Sequence, residues 1–127
     1  MNKVILTNKA PLPIGPYSQA IQSGNMLFVS GMIALNPDSN ELILEDISQE
    51  TDQVLKNLSA VVEAAGFSLR DVVKCTIFLS DMENFSSVNL VYAKYFNEAP
   101  PARETVQVSN LPKYVNVEIS CIASRHA

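Results

Sequence analysis

Val72-Val73-Lys74-Cys75-Thr76-Ile77-Phe78-Leu79 decides the fold of this 127-residue chain. The run is rich in β-branched and aromatic residues, has the length of a strand, and stands between two segments of helical periodicity. Upstream, Ile47, Val54, Leu55, Leu58, Val61, Val62 and Ala65 recur at helical spacing. They predict a helix from Ile47 to Ala65, with Gly66 placed as its C-terminal stop. Downstream, Ser80-Asp81-Met82-Glu83 reads as a capping box. Phe85, Val88, Tyr92, Tyr95 and Phe96 then form the stripe of a second helix, from about Met82 to Asn97.

Strands fill the rest. Met26 to Ser30, Thr105 to Val108 and Val115 to Ala123 are β-branched and aromatic-rich. Ser18 to Ser23 and Met26 to Ser30 flank Gly24-Asn25, which reads as a tight hairpin, and Val4 to Thr7 adds an edge strand. Asn36-Pro37-Asp38-Ser39-Asn40 is a turn. No repeat or linker divides the chain, so residues 1–127 read as one domain. The order strands, helix, strand, helix, strands is that of an α+β domain with one sheet and two helices. Two helices cover one face of a sheet of five or six strands. Yet Val72, Val73, Cys75, Ile77, Phe78 and Leu79 put apolar side chains on both faces of their strand, and Ile122 lies opposite the main apolar row of the last one. Something must bury the second face, and the economical answer is another copy of the chain in a closed ring. A homo-oligomer follows; the number of copies does not.

Composition removes many chemistries. Apolar residues make up 47% of the chain and charged ones 17%, which suits a compact soluble protein. No apolar run approaches a membrane span and the N-terminal apolar segment is too short for a signal peptide, so a cytoplasmic address is expected by default. Cys75 and Cys121 sit inside apolar strands, as buried free thiols do. The only histidine, His126, is the penultimate residue, where chain ends commonly fray. A Ser-His-Asp or Cys-His nucleophile and a histidine-ligated metal are therefore disfavoured. The four glycines (Gly15, Gly24, Gly31 and Gly66) never cluster into a phosphate loop. A net charge of −4 without a basic cluster argues against nucleic acid.

The candidate chemistry lies in Pro100-Pro101-Ala102-Arg103-Glu104-Thr105-Val106-Gln107-Val108 and in Val117-Glu118-Ile119. The diproline stiffens the chain that presents Arg103, and a guanidinium so held can grip a carboxylate through two parallel hydrogen bonds. Taken alone, one Arg and one Glu in strands are ordinarily solvated surface charges. Asn89, at the margin of the second helix's apolar stripe, either caps backbone groups locally or borders a pocket. Tyr17, after Gly15-Pro16, is by itself a packing residue more often than a catalyst. Gly31, ending Val29-Ser30-Gly31, permits either a bulge or close backbone approach to a ligand.

Read jointly, Gly15-Pro16-Tyr17-Ser18-Gln19, Val29-Ser30-Gly31, Val62-Glu63-Ala64-Ala65-Gly66, Asn89, and Pro101-Ala102-Arg103 through Leu111-Pro112 to Val117-Glu118-Ile119 resemble the Rid (YjgF) family of imine deaminases. The resemblance runs from about Ala10 to Ala123. It implies a chorismate-mutase-like α+β fold: one mixed sheet of about six strands, two helices on one face, and a trimer closing around a central barrel with clefts between subunits. It also implies hydrolysis of 2-imino acids and their enamine tautomers, such as 2-aminoacrylate or 2-iminobutyrate, to 2-keto acids and ammonia, with no metal or organic cofactor.

Carried over by position, the resemblance implies that Arg103 binds the substrate carboxylate and Glu118 orients or partly deprotonates the attacking water. Glu118's negative charge would also favour the iminium form. Backbone groups at Gly31 and Thr105, with Tyr17, Ser30 and Asn89, would line the cleft. Glu104, Thr105, Met32 and Ser120 depart from the commoner family pattern, where a small residue, cysteine, glutamine and an acid are usual. A second reading is a non-catalytic regulatory protein that binds a small carboxylate in the same cleft. A third, translation inhibitor or endoribonuclease, also borrowed from family members, is opposed by the acidic charge.

Overall fold

The computed structural model describes residues 1–125; His126, read above as a fraying chain end, lies outside them. Eight main elements follow in chain order: β1 (Lys3–Ile5), β2 (Ala20–Ser23), β3 (Met26–Met32), α1 (Ile47–Ala64), β4 (Val72–Leu79), α2 (Phe85–Tyr95), β5 (Ala102–Gln107) and β6 (Val117–Ser124). They form a six-stranded mixed sheet in the order β1-β2-β3-β6-β4-β5. Every neighbouring pair is antiparallel except β4 and β5, which run parallel. A parallel pair requires a crossover, and α2 supplies it.

The strand that decided the fold lies beside β6 and β5, and its side chains alternate as a pleat demands. Cys75, Ile77 and Leu79 are buried against the helices with Val117, Ile119, Cys121 and Ala123 of β6. Val54, Leu55, Leu58, Val61 and Val62 of α1, and Val88, Val91 and Tyr92 of α2, close this core. The opposite face is open. Across it run Val106, Phe78 and Glu118 in one row, Glu104, Thr76 and Ser120 in the next, then Lys74, Ile122 and Phe28. Phe28 and Val106 remain 45% and 42% exposed, so the second apolar face expected from the sequence is present and uncovered by this chain.

The helix signals held with one correction. Gly66 takes φ +81°, and the amides of Gly66 and Phe67 donate to Glu63 and Val62, so α1 ends where a glycine can turn left-handed. The cap before α2 is Asp81 rather than Ser80: its carboxylate accepts from the Glu83 amide. The segment from Met82 to Asn84 is a 3₁₀ turn, and the α-helix begins only at Phe85 and ends at Tyr95. A carboxylate two residues before the donating amide closes a tighter turn than the expected box. The β2–β3 hairpin turns on Gly24, at φ +61°, as read.

Candidate active site

Glu118 lies on the open face of β6, half-buried, next to Gly31 of β3. A Cβ added to Gly31 would fall 2.7 Å from the Glu118 carboxyl carbon, so a side chain there is excluded by contact rather than by backbone twist. The β3–β6 register is interrupted between Val29 and Met32, which makes Gly31 part of a bulge as well as a close approach. The bulge reading of that glycine holds, and the close approach is to the Glu118 side chain rather than to a ligand. Burial alone pushes the Glu118 carboxyl above the ordinary 4.5, and its side chain makes no hydrogen bond among the described residues. Tyr17, Ser30, Gly31 and Glu118, with Ile14, Ile33 and Pro112, line a cleft of about 330 Å³. Ser30 is fixed there by donating through Oγ to the Ser18 carbonyl at 2.6 Å. The Tyr17 hydroxyl accepts from the Ile14 amide at 3.3 Å, folding the ring back over its own turn.

Arg103 is elsewhere. It pairs in register with Cys75, whose side chain faces the core, so Arg103 and Thr105 lie on the helix-covered face of the edge strand β5. The Arg103 guanidinium carbon lies 4.9 Å from the Tyr92 ring centroid and 5.7 Å from that of Phe85, an aromatic cradle on α2. Asn89, one turn from Phe85, is half-buried on the same helix and makes no side-chain hydrogen bond among the described residues. Arg103 meets no carboxylate among the described residues. The Thr105 and Tyr92 hydroxyls are buried with no hydrogen-bond partner among them either. Burial pushes the Tyr92 hydroxyl and the Cys75 thiol up; their proximity to each other raises the first further and lowers the second, and the nearby Arg103 charge offsets part of the rise in each. Among the described residues, a buried Thr105 hydroxyl without a partner beside a guanidinium that meets no carboxylate is what a polar ligand would satisfy.

The seven residues singled out in the sequence thus fall into two groups. Tyr17, Ser30, Gly31 and Glu118 share a cleft; Arg103, Thr105 and Asn89 lie beyond β4, on the other side of the sheet. Glu104 points away from Arg103, accepting from Thr76 at 2.7 Å and pairing with Lys74 at 3.0 Å, which hold its carboxyl below the usual range. Three buried polar residues carried no recognised signal of their own role. Gln19 donates to the carbonyls of Thr7 and Pro11, Asn57 to those of Ile33 and Leu35, and Glu50 accepts from the amides of Asn116 and Val117. Asn57 ties Ile33, in the wall of the Glu118 cleft, to α1; Glu50 ties the entry to β6 to the same helix; Gln19 ties residues 7–11 to the start of β2. Among the described residues no cluster of three or more His, Cys, Asp and Glu side chains has metal-ligand spacing. No helix there is long and apolar enough to cross a membrane.

Residues 7–125 match the family described as Endoribonuclease L-PSP. The chain belongs to the Rid (YjgF/RutC) family. A RutC family protein of Pyrococcus horikoshii is 54% identical over 97% of this chain and 98% of its own length. The 2-iminobutanoate/2-iminopropanoate deaminase of Mus musculus is 45% identical over 97% of this chain and 91% of its own. The crystal structure of E. coli TdcF with bound serine superposes with a TM-score of 0.94 at 40% identity, covering 98% of this chain and 99% of TdcF. The family's α+β architecture is therefore the one described above.

Proposed function

We propose that this protein hydrolyses reactive 2-imino acids and their enamine tautomers to 2-keto acids and ammonia, in clefts completed by a second copy of the chain. The observation that carries the reading is the division of the site. Arg103 offers an unpaired, aromatic-backed guanidinium on one face of the sheet, and Glu118 offers a half-buried carboxylate on the other. One small substrate cannot span the sheet, so the two residues meet on it only across a subunit boundary. The uncovered face bearing Phe28, Ile122, Phe78 and Val106 is the surface that a trimer would bury. The deaminase among the relatives supplies the reaction class.

In this mechanism Arg103 binds the substrate carboxylate through its two parallel N–H groups, aimed by the Tyr92 ring. Thr105 and Asn89 complete that end of the cleft. Glu118 accepts a hydrogen bond from a water, orienting it toward the imine carbon and taking up its proton as the C–O bond forms. Its negative charge, in a cleft partly shielded from solvent, favours the protonated and more electrophilic iminium. Glu118 returns that proton to the carbinolamine nitrogen, and cleavage of the C–N bond with loss of the hydroxyl proton to solvent expels ammonia and leaves the keto acid. An iminium carbon is already electrophilic, so holding water and carboxylate in place is enough, and such positioning is worth up to about 7–11 kcal/mol.

The test is a coupled assay: a dehydratase generates the imine from serine or threonine, semicarbazide competes for it, and keto acid is followed. Acceleration over background that Arg103→Ala abolishes supports hydrolysis. A second reading, capture of a small amino or keto acid without turnover, draws on the serine bound to TdcF. It is the one left standing if wild-type protein binds carboxylates but accelerates nothing.

A further inference from the structure

Glu50, in the first turn of α1, is fully shielded from solvent. Its carboxylate meets no cation among the described residues. Instead, Oε2 accepts from the backbone amides of Asn116 at 2.7 Å and Val117 at 3.2 Å, and Oε1 from the Asn116 side-chain amide at 2.7 Å. Asn116 in turn accepts through its carbonyl from the Ser80 amide at 3.1 Å. Burying a carboxylate is costly unless its oxygens are fully hydrogen-bonded, so an investment of this kind points to a place that must not move.

That place is the entry to β6. The β3–β6 ladder ends at Met32 and Ile119, so Asn116, Val117 and Glu118 have no β3 partner. Glu50 reaches from the helix layer to take the two amides, and one residue on, across the sheet, the Glu118 side chain packs over Gly31. Glu118 has no side-chain hydrogen bond of its own among the described residues, so its aim follows from the backbone that Glu50 pins.

We propose that Glu50 is a positioning residue for Glu118, fixing the start of β6 so that the Glu118 carboxylate is held over Gly31. The inference rests on the reading of Glu118 as the water-orienting group. It differs from a purely scaffolding role in what each replacement changes. Glu50→Ala removes the acceptor, and Glu50→Asp retracts it by one methylene. Glu50→Gln keeps one carboxamide oxygen for the two backbone amides once the Asn116 side chain turns over.

The experiment measures kcat and KM for imine hydrolysis in the assembled wild type and these three variants, and follows the Glu118 carboxyl by carbon NMR titration. The expected result is a kcat at least tenfold lower in Glu50→Ala and at least fivefold lower in Glu50→Asp, with KM within threefold of wild type. Glu50→Gln recovers more than half of the wild-type kcat. The Glu118 midpoint, raised in wild type, falls toward 4.5 in Glu50→Ala as the carboxylate swings into solvent. A folded Glu50→Ala protein with wild-type kcat and an unmoved Glu118 midpoint overturns the proposal. If Glu50→Ala does not fold, Glu50→Asp turning over as fast as Glu50→Gln overturns it. Wild-type protein that accelerates nothing refutes the hydrolysis reading instead, while the NMR midpoint still decides whether Glu50 positions Glu118.

Discussion

Arg103 and Glu118 stand on opposite faces of one sheet, on strands separated by β4. Pleat geometry makes the relationship rigid: the register sets Arg103 beside Cys75 and Glu118 beside Phe78, and those two point opposite ways along β4. Under the proposed hydrolysis, each working cleft therefore combines Arg103 of one copy with Glu118 of another.

Two inactive variants should rescue each other. Arg103→Ala and Glu118→Gln proteins, unfolded together and refolded as a mixture, form mixed rings in which some clefts receive both intact groups. Random assembly predicts roughly a quarter of the wild-type activity per cleft, because each of two positions is intact half the time. The double variant mixed with wild type gives no such recovery beyond the wild-type share. Activity of the mixture no greater than that of its parents would place both groups in one copy, contrary to the sheet geometry.

Gly31→Ala should displace Glu118. The added methyl occupies the space of the carboxyl group, and overpacking of this kind costs about 1–3 kcal/mol. The expected outcome is a kcat lower by roughly tenfold or more, a tenfold change being about 1.4 kcal/mol, with a Tm reduced by a few degrees. Steady-state kinetics and a thermal melt on the same preparation check it.

Arg103→Lys keeps the charge but loses the planar fork and its stacking on Tyr92. Affinity for a 2-keto acid product should weaken by about 1.5–3 kcal/mol, the range for hydrogen bonds to charged groups. Calorimetric titration with the keto acid measures the loss. A lysine variant binding as tightly as wild type would mean that charge alone suffices.

Glu118 links rate and stability to pH with opposite signs. Burial raises its folded pKa above the unfolded 4.5, so the folded protein holds the proton more tightly. Stability from this group is intact below 4.5 and is lost as pH rises through the folded value. Activity runs the other way, since the carboxylate accepts the water's proton only when ionised. Glu118→Gln should therefore be slow, yet at least as stable as wild type at pH 7, with the difference in Tm closing as pH falls toward 4.5. A Tm below wild type at pH 7 would contradict the burial argument.

The presence and order of strands and helices were legible because period-two and 3.6-residue patterns survive in the sequence. Some strand limits were not: β5 begins at Ala102 rather than Thr105, and β6 at Val117 rather than Val115. The run from Val72 to Leu79 was placed to the residue, and Gly66 and Gly24 occupy the left-handed positions their neighbours required. The extent of α2 was less legible, since Asp81 competes with Ser80 as a cap and draws the first turn into 3₁₀ geometry. The resemblance named residues of both halves of the candidate site, but no linear pattern says that Arg103 and Glu118 face apart. That follows from strand order, which puts β4 between them. Glu50, Asn57 and Gln19 were missed because a polar residue in a helix or strand ordinarily reads as solvent-facing; only tertiary packing buries them.

Those three side chains have a thermodynamic consequence. Gln19, Asn57 and Glu50 anchor the segments around the Glu118 cleft to the core before any ligand arrives. Ordering a flexible loop costs roughly 1–2 kcal/mol per residue, and a cleft with tethered walls has already met that cost during folding. Ligand entry should then quench little additional motion. Its signature would be a small entropic penalty, with amide exchange in residues 7–11, 33–35 and 116–117 nearly as slow in the free protein as in the bound one.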